Sequence, residues 1–337
     1  MPSISSYTRL LHKGYPLDKS IYNRLDSLET NSDIEDLANV CSQHRGIDGN
    51  CAHFTLNYLA ANPDFDQIQK EDYSSYHYQD IQDTLNAYEN SDKVVEIVKE
   101  GIKENIFSTE FHGREHINVN RWMALLNQEL NKFHDAFKER TFTINNRPNS
   151  SGHEDCLDAF DNSINMIYEP ISSILETGVD LHTKIWGKKP KSFIAPCYIW
   201  DKSIEKCLVS LGLQYIQGTN TQRYYDTSNH LKKKYHYLGQ ENRFRQIYLI
   251  RNCFFEPAAE GVDKALDRAK SEIVKNLNMG IPAIVCSHRV NYMSRLNETN
   301  KTKNLEALNQ LLGFIKNRYS DVEFYSSSDL GNLIKEN

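Results

Sequence analysis

Hydrophobic and polar residues alternate along this chain in two rhythms, and the rhythms predict its elements. "TNSDIEDLANVCS" sets Ser32 three residues before Glu35, the spacing of a capping box, with Ile34, Leu37, Val40 and Cys41 on one helical stripe. "AHFTLNYLAANPDF" carries β-branched and aromatic residues and stops at Asn62-Pro63, so it predicts a strand running into a turn. Helical patterns follow around 79–88 and 92–105. Trp122, Leu125, Leu126, Leu130, Phe133 and Phe137 recur at helical spacing behind two candidate N-caps, Asn118 and Asn120. A second long helical region, from about Glu154 to Trp186, is expected to break before Pro170, which lacks an amide proton and clashes with the preceding turn.

The C-terminal half alternates more plainly. "KSFIAP" reads as a strand, "DKSIEKCLVSLG" as a helix, "LQYIQG" and "RQIYLIRN" as strands, and "VDKALDRAKSEIVKNLNMG" as a helix. "IPAIVCSH" (strand), "NLEALNQLLGFIKNR" (helix) and "DVEFYSS" (strand) close the series, with 219–245 as a long polar insertion. Strands alternating with helices imply parallel β/α units. No composition shift marks a boundary, so residues 1–337 are expected to form a single barrel-like α/β domain.

Charge narrows the partners. The 337 residues carry 39 basic and 45 acidic side chains, a net charge of -6, which leaves no footprint for nucleic acid or an anionic membrane. Seven scattered cysteines without a C-x-x-C pair argue against a disulfide framework or a thiolate zinc site, and for a reducing compartment. The opening residues lack a secretory apolar run, and no stretch approaches the roughly 20 apolar residues of a membrane span. A cytoplasmic protein is expected, and its oligomeric state is open.

Reactive side chains fall just past the predicted strands: Asn57 and Asn62, Pro196 to Trp200, Arg251 to Glu256, and His288. In a β/α barrel the active site lies at that end. "EFHGREHINVNRW" adds His112 and His116, which are either two ligands of a catalytic metal that keeps a position open for water or two structural histidines. Glu115 is either an orienting partner of an imidazole or solvated. His288 is either a proton donor with a suitable pKa or a histidine held beneath a loop. Cys197 and Cys286 have no evident activating base and read as small hydrophobes. Arg251, Asn252 and Glu256 form either a polar site walled by two phenylalanines or a charged pair pinning a loop. His153, Glu154 and Asp155 read as a site or as an acidic first helical turn.

Together "FHGREH", "VNRW", "SFIAPCYIW" and "AIVCSHRVNY" resemble a bacterial branch of the polysaccharide deacetylase superfamily, the NodB-homology carbohydrate esterases. The likeness extends to "YNRLDSLETN" and "ANPDF" and covers nearly the whole chain. It implies a distorted (β/α) barrel of the glycoside hydrolase/deacetylase type and metal-assisted removal of an acetyl group from an N-acetylated sugar or polysaccharide. His112 and His116 match metal ligands, the ion being zinc or a similar divalent metal. Ala195, Pro196 and Tyr198, with Trp200, fall in a groove-lining segment, and His288 matches the histidine that protonates the leaving amine.

The chain also departs from the family pattern. The family's first motif is an aspartate pair, one a base and one a metal ligand, at the end of a first strand; here the sequence starts at Met1-Pro2-Ser3, and that strand and pair are expected to be missing. Two imidazoles without an anionic ligand hold zinc less well, so impaired turnover is expected. Asp26 and Glu29 are candidate replacement carboxylates, or simply an acidic pair leading a helix. The usual groove arginine is replaced by Ile194-Ala195, leaving Arg114, Arg251 or Arg289 to supply its charge, with Glu256 beside them. The alternatives are a non-catalytic carbohydrate-binding relative and another metal-dependent amide hydrolase.

Overall fold

The computed structural model describes residues 3–128, 131–142, 144, 156–161, 168–226 and 228–336. Its centre is a parallel sheet of five strands, β1 (Phe54–Tyr58), β2 (Phe107–Phe111), β3 (Ser192–Ile194), β4 (Tyr215–Gly218) and β5 (Ile247–Ile250), ordered β1-β2-β3-β4-β5. Parallel neighbours require a crossover between strands; helices lie between β1, β2, β3 and β4, whereas the stretch from β4 to β5 carries a hairpin and, among the described residues, no helix. β2 meets β3 with Phe111 opposite Phe193, and β3 meets β4 from Ser192 opposite Tyr215 to Ile194 opposite Gln217. Every residue of β3, β4 and β5 is buried, as in strands covered on both faces. The α/β class and the parallel sheet follow the predicted alternation. Among the described residues the strand order has two ends, and closure into a barrel is not part of it.

The chain divides into two compact units, one of Met1–Arg24, Asn57–Thr84 and Glu110–Tyr248, the other of Leu25–Leu56, Leu85–Thr109 and Leu249–Asn337. In the first, Asn118 caps the helix Val119–Asn127, its side-chain oxygen accepting the Arg121 amide at 3.1 Å. The stripe expected to form one helix is divided between Val119–Asn127 and Asn131–Lys138, with Leu130 outside the described residues. Trp122 stacks on Phe137 with ring centroids 5.7 Å apart, in a core with Ile68, Met123, Leu126 and Ile174. Each such side chain contributes about 1.5–3 kcal/mol on full burial.

The helix Ile171–Trp186 begins directly after Pro170, as the missing amide proton dictates. Upstream, residues 156–161 are not helical; 154, 155 and 162–167, and with them His153, Glu154 and Asp155, lie outside the described residues. The polar insertion contains an antiparallel hairpin, Thr221–Tyr225 with Leu231–Tyr235.

In the second unit the helix Asn31–Ser42 starts earlier than the Ser32/Glu35 spacing predicts. Thr30 and Asp33 form the capping box, the Thr30 hydroxyl accepting the Asp33 amide and the Asp33 carboxylate accepting the Thr30 amide. Asp33 serves because its shorter side chain reaches back from the same N3 position. "IPAIVCSH" yields only the two paired residues Val285–Cys286, parallel to Cys253–Phe254. Pro282 has no amide proton, and the Asn252 side chain takes the Pro282 carbonyl and the Ile284 amide that a longer ladder would use. "DVEFYSS" alternates in exposure like a strand, but its backbone bonds, among them Ile47 N to Val322 O at 2.9 Å and Val322 N to Tyr319 O at 3.3 Å, form no ladder among the described residues. Among the described residues no helix is long and apolar enough to cross a membrane.

Candidate functional site

The sequence H-G-R-E-H leaves β2 in a turn that only its glycine permits. Gly113 sits at φ +120°, and a Cβ there would lie 3.2 Å from both Glu115 O and the Phe160 ring. The turn carries His112 and His116 into the loop before the Asn118 cap, with their ring centroids 5.1 Å apart at 73°. His112 is fixed at both ends. Its amide donates to Tyr58 O at 3.0 Å, and its Nδ1 lies 2.9 Å from Ile194 O at the end of β3. A carbonyl only accepts, so Nδ1 carries the proton and Nε2 the lone pair, the tautomer that suits a metal ligand.

Arg114, between the histidines, faces inward. It is 0% exposed, donates from Nε to Glu115 at 2.6 Å, and grips Glu169 with Nη1 at 2.7 Å and Nη2 at 2.6 Å; Nη1 also reaches Thr177 at 2.9 Å. The Tyr78 ring centroid lies 4.2 Å from its Cζ. Burial works against the charge, but Glu115 and Glu169 outweigh it and hold the guanidinium above its ordinary pKa. Burial raises the Glu115 carboxyl, with Arg114 opposing. Arg114 is thus occupied in holding the loop, and the groove charge proposed for it is already neutralised. The helix Ile171–Trp186 comes this close because position 178 is glycine: a Cβ there would stand 2.8 Å from Phe111 and 3.0 Å from the Arg114 side chain.

After β3, Pro196–Tyr198 forms one 3₁₀ turn in which Cys197 and Tyr198 both take positive φ, 54° and 56°. Non-glycine residues pay strain there, and such strain is concentrated at ligand-binding positions. Pro196 is buried and Tyr198 half-buried. Trp200 is part of the core, 2% exposed, its carbonyl accepting from Gln222 Nε2 at 2.9 Å. Asn57, expected past the strand, lies within β1 and exchanges hydrogen bonds with Gln217.

In the second unit, Glu256 and His288 form a dyad. His288 Nδ1 is 2.6 Å from Glu256 Oε1, and the imidazole side chain is 42% exposed. With Nδ1–H directed at a carboxylate, Nε2 is the nitrogen able to exchange a proton with a ligand. Asn291, fully buried, donates Nδ2 to Glu256 Oε2 at 2.9 Å and accepts the Ala258 amide at 3.0 Å. Ser287 Oγ lies 2.7 Å from Phe255 O and 2.7 Å from Tyr292 OH, whose pKa burial pushes well up. Arg251 Nη1 reaches Cys286 Sγ at 3.4 Å. Arg289 is bidentate to Asp26, 3.0 Å from each oxygen, and donates to Glu29 at 3.1 Å. Asp26 and Glu29 are therefore partners of an arginine in this unit, in the stretch that runs up to the Thr30 cap of the helix Asn31–Ser42.

Asn291 and Ser287 carry no signal in the sequence beyond their nearness to His288. Asn291→Ala is expected to cost about 2 kcal/mol in urea unfolding, because it leaves the Ala258 amide and a Glu256 oxygen without their buried partner. A cost under about 0.5 kcal/mol would mean that water takes over those bonds.

Among the described residues, the group of three potential metal ligands is Glu256, Cys286 and His288, within 4.8 Å of one another; His112 and His116 are not joined by a third in such a group. The short Glu256–His288 contact is a hydrogen bond that needs no ion. The tautomer that Ile194 sets on His112 is the one a metal ligand needs, and His116 is its candidate partner.

No protein-family model and no curated protein matches the sequence. Among solved structures, the chain is similar to a Mycobacterium smegmatis protein provisionally named a polysaccharide deacetylase, at 10% identity and TM-score 0.46, over 97% of this chain and 80% of that one. It is also similar to a GH57-type branching enzyme of Pyrococcus horikoshii (10%, TM-score 0.39, 73% of this chain and 47% of that one) and to a 4-alpha-glucanotransferase of Thermococcus litoralis (9%, TM-score 0.41, 94% and 35%). Likeness at this level carries no functional argument, and the site is read from its own residues.

Proposed function

We propose that the protein is a metal-dependent deacetylase acting on an N-acetylated sugar, with His112 and His116 as ligands of zinc or a similar divalent ion and His288 as general acid. The observation that carries this reading is the His112 Nδ1 contact with Ile194 O, which assigns the lone pair to Nε2 of an imidazole whose ring centroid lies 5.1 Å from that of His116. When bound there, a divalent ion supplies polarisation of the acetyl carbonyl and a water of pKa about 7.

The protein's own residues do the rest. The Ile194 carbonyl and the Tyr58 carbonyl orient His112, and the Arg114 network holds the loop that brings back His116. Hydrolysis would bond a water oxygen to the acetyl carbon and break the C–N bond, the acetyl group leaving as acetate; the departing nitrogen takes its proton from His288 Nε2, and the proton lost by the water restores it. Glu256 holds the opposite ring nitrogen, and Asn291 holds Glu256. The distorted barrel and the groove role of Tyr198 and Arg251 belong to the same proposal.

The test pairs metal analysis with acetate release from N-acetylated oligosaccharides. Stoichiometric zinc is expected in the wild type and lost in His112→Ala/His116→Ala. His288→Ala should keep zinc and lose roughly 10²–10⁴-fold in turnover. A wild type that takes up no zinc at saturation overturns the reading. Zinc without acetate release would favour the non-catalytic alternative.

A further inference from the structure

The hairpin of the first unit pairs Tyr225 with Leu231, Arg223 with Lys233 and Thr221 with Tyr235. Opposed residues, and residues two apart along a strand, share a face, so these six side chains lie on one side. At its centre Arg223 stands directly across from Lys233. Like charges in that position destabilise a hairpin, and an anion between them removes the cost. Asp226, the acidic residue within 221–235, pairs with Lys232 at 3.3 Å, and among the described residues no carboxylate pairs with Arg223, Lys233 or Lys234. All of Leu231–Tyr235 is exposed, with Leu231 at 40% and Tyr235 at 67%. A cationic patch with one exposed ring, Tyr235, thus stands on a chain of net charge -6.

The hairpin is anchored to the segment that follows β3. Trp200 N donates to Arg223 O at 3.1 Å, Ile199 bridges Arg223, and Gln222 is buried against the Trp200 carbonyl. The same segment begins at Ile194, whose carbonyl fixes His112. The patch therefore projects from the stretch of chain that orients the candidate metal ligand.

We propose that this face binds an acidic glycan, with carboxylate or phosphate groups held between Arg223 and Lys233 and sugar rings against Tyr235. The carbohydrate class rests on the function proposed above; the anionic character comes from the charges of the hairpin itself. A guanidinium and an ammonium facing each other complement an anion carried on a flexible chain. One exposed aliphatic side chain, Leu231, is too little apolar surface to enter a lipid interface. The net negative charge of the chain opposes a densely charged nucleic acid more than a sparsely charged glycan.

Binding is measured by calorimetry with polygalacturonate, phosphomannan and neutral dextran, and with vesicles of equal parts phosphatidylglycerol and phosphatidylcholine and a single-stranded oligonucleotide. The wild type is expected to bind the first or second, according to which anion the site takes, and not dextran. Arg223→Gln/Lys233→Gln should weaken binding roughly tenfold and flatten its salt dependence. Tyr235→Ala should weaken it with the salt dependence kept. Because the double variant removes a repulsion, its urea midpoint should be equal or higher, which separates lost binding from misfolding. His112→Ala/His116→Ala should keep glycan binding, and the hairpin variants should keep zinc uptake, so the two readings fail separately. Unchanged affinity in the double variant, equal binding of dextran, no binding of either acidic glycan, or preferential binding of vesicles or oligonucleotide overturns the proposal.

Discussion

Arg114→Met is expected to lower the stability of the protein by about 3–5 kcal/mol, measured by urea unfolding followed through tryptophan fluorescence. The methionine fills much of the volume but leaves Glu115, 2% exposed, and the bidentate acceptor Glu169 without their cation. Removing one partner of a buried ion pair costs more than the pair contributes, because the remaining charge has already lost its water. Arg114→Lys should recover only part of the loss, since an ammonium cannot reproduce four guanidinium contacts at fixed angles. Adding Glu115→Gln to Arg114→Met should restore some stability by neutralising the orphaned carboxylate, a non-additivity expected of residues in one network. A loss under about 1 kcal/mol for Arg114→Met would show that the pair behaves as a solvated surface pair. The loop between β2 and the Asn118 cap depends on this network, so the variant should also loosen His112 and His116, and zinc uptake should weaken with it.

That outcome bears on what the sequence could and could not disclose. Two strand ends were legible: Pro196 follows β3 and Arg251 follows β5, because apolar runs bounded by turn residues are local signals, whereas the short β2 before His112 was not among the predicted strands. The Asn118 cap was legible for the same reason. Arg114 was misread as a source of groove charge because its partner Glu169 lies 55 residues away, and nothing local distinguishes a buried arginine from a solvated one. Glu256 and His288 are separated by 32 residues, so their dyad exists only through the fold. Arg289, Asp26 and Glu29 were each placed as candidates, and the fold joins them to one another. The long insertion hid its hairpin because "RYYD" and "LKKKY" set aromatic residues and charges in blocks, without the polar–apolar alternation that marks a strand.

Acidification from pH 7 toward pH 4 is expected to cost about 3 kcal/mol of stability through His182 alone. Burial pushes this imidazole down to about 4, with the Glu110 backbone opposing, and the side chain is 0% exposed between the rings of Phe111 and Trp186. The folded pKa lies below the ordinary value of 6.5, so between those limits the unfolded chain binds a proton that the folded chain refuses. Stability is therefore complete above pH 6.5, falls as the pH drops through the window, and has lost the full contribution below about 4. His236, also pushed down to about 4 by burial and by Lys234, acts in the same direction. The paired carboxylates of Asp135 and Glu139, held low by Lys13 and Arg9, lose their contributions only at lower pH, below the ordinary carboxylate range. Glu115, raised by burial, works in the opposite sense, since its folded form takes up a proton first. The difference between wild type and His182→Leu isolates the histidine from these groups: leucine should flatten the slope of urea stability between pH 6.5 and 4, and an unchanged slope would mean that His182 titrates at its ordinary pKa. Because His182 packs on Phe111, the residue before His112, protonating it strikes the end of β2 that presents the candidate metal ligand, and zinc release in acid should begin in this window in the wild type and later in His182→Leu.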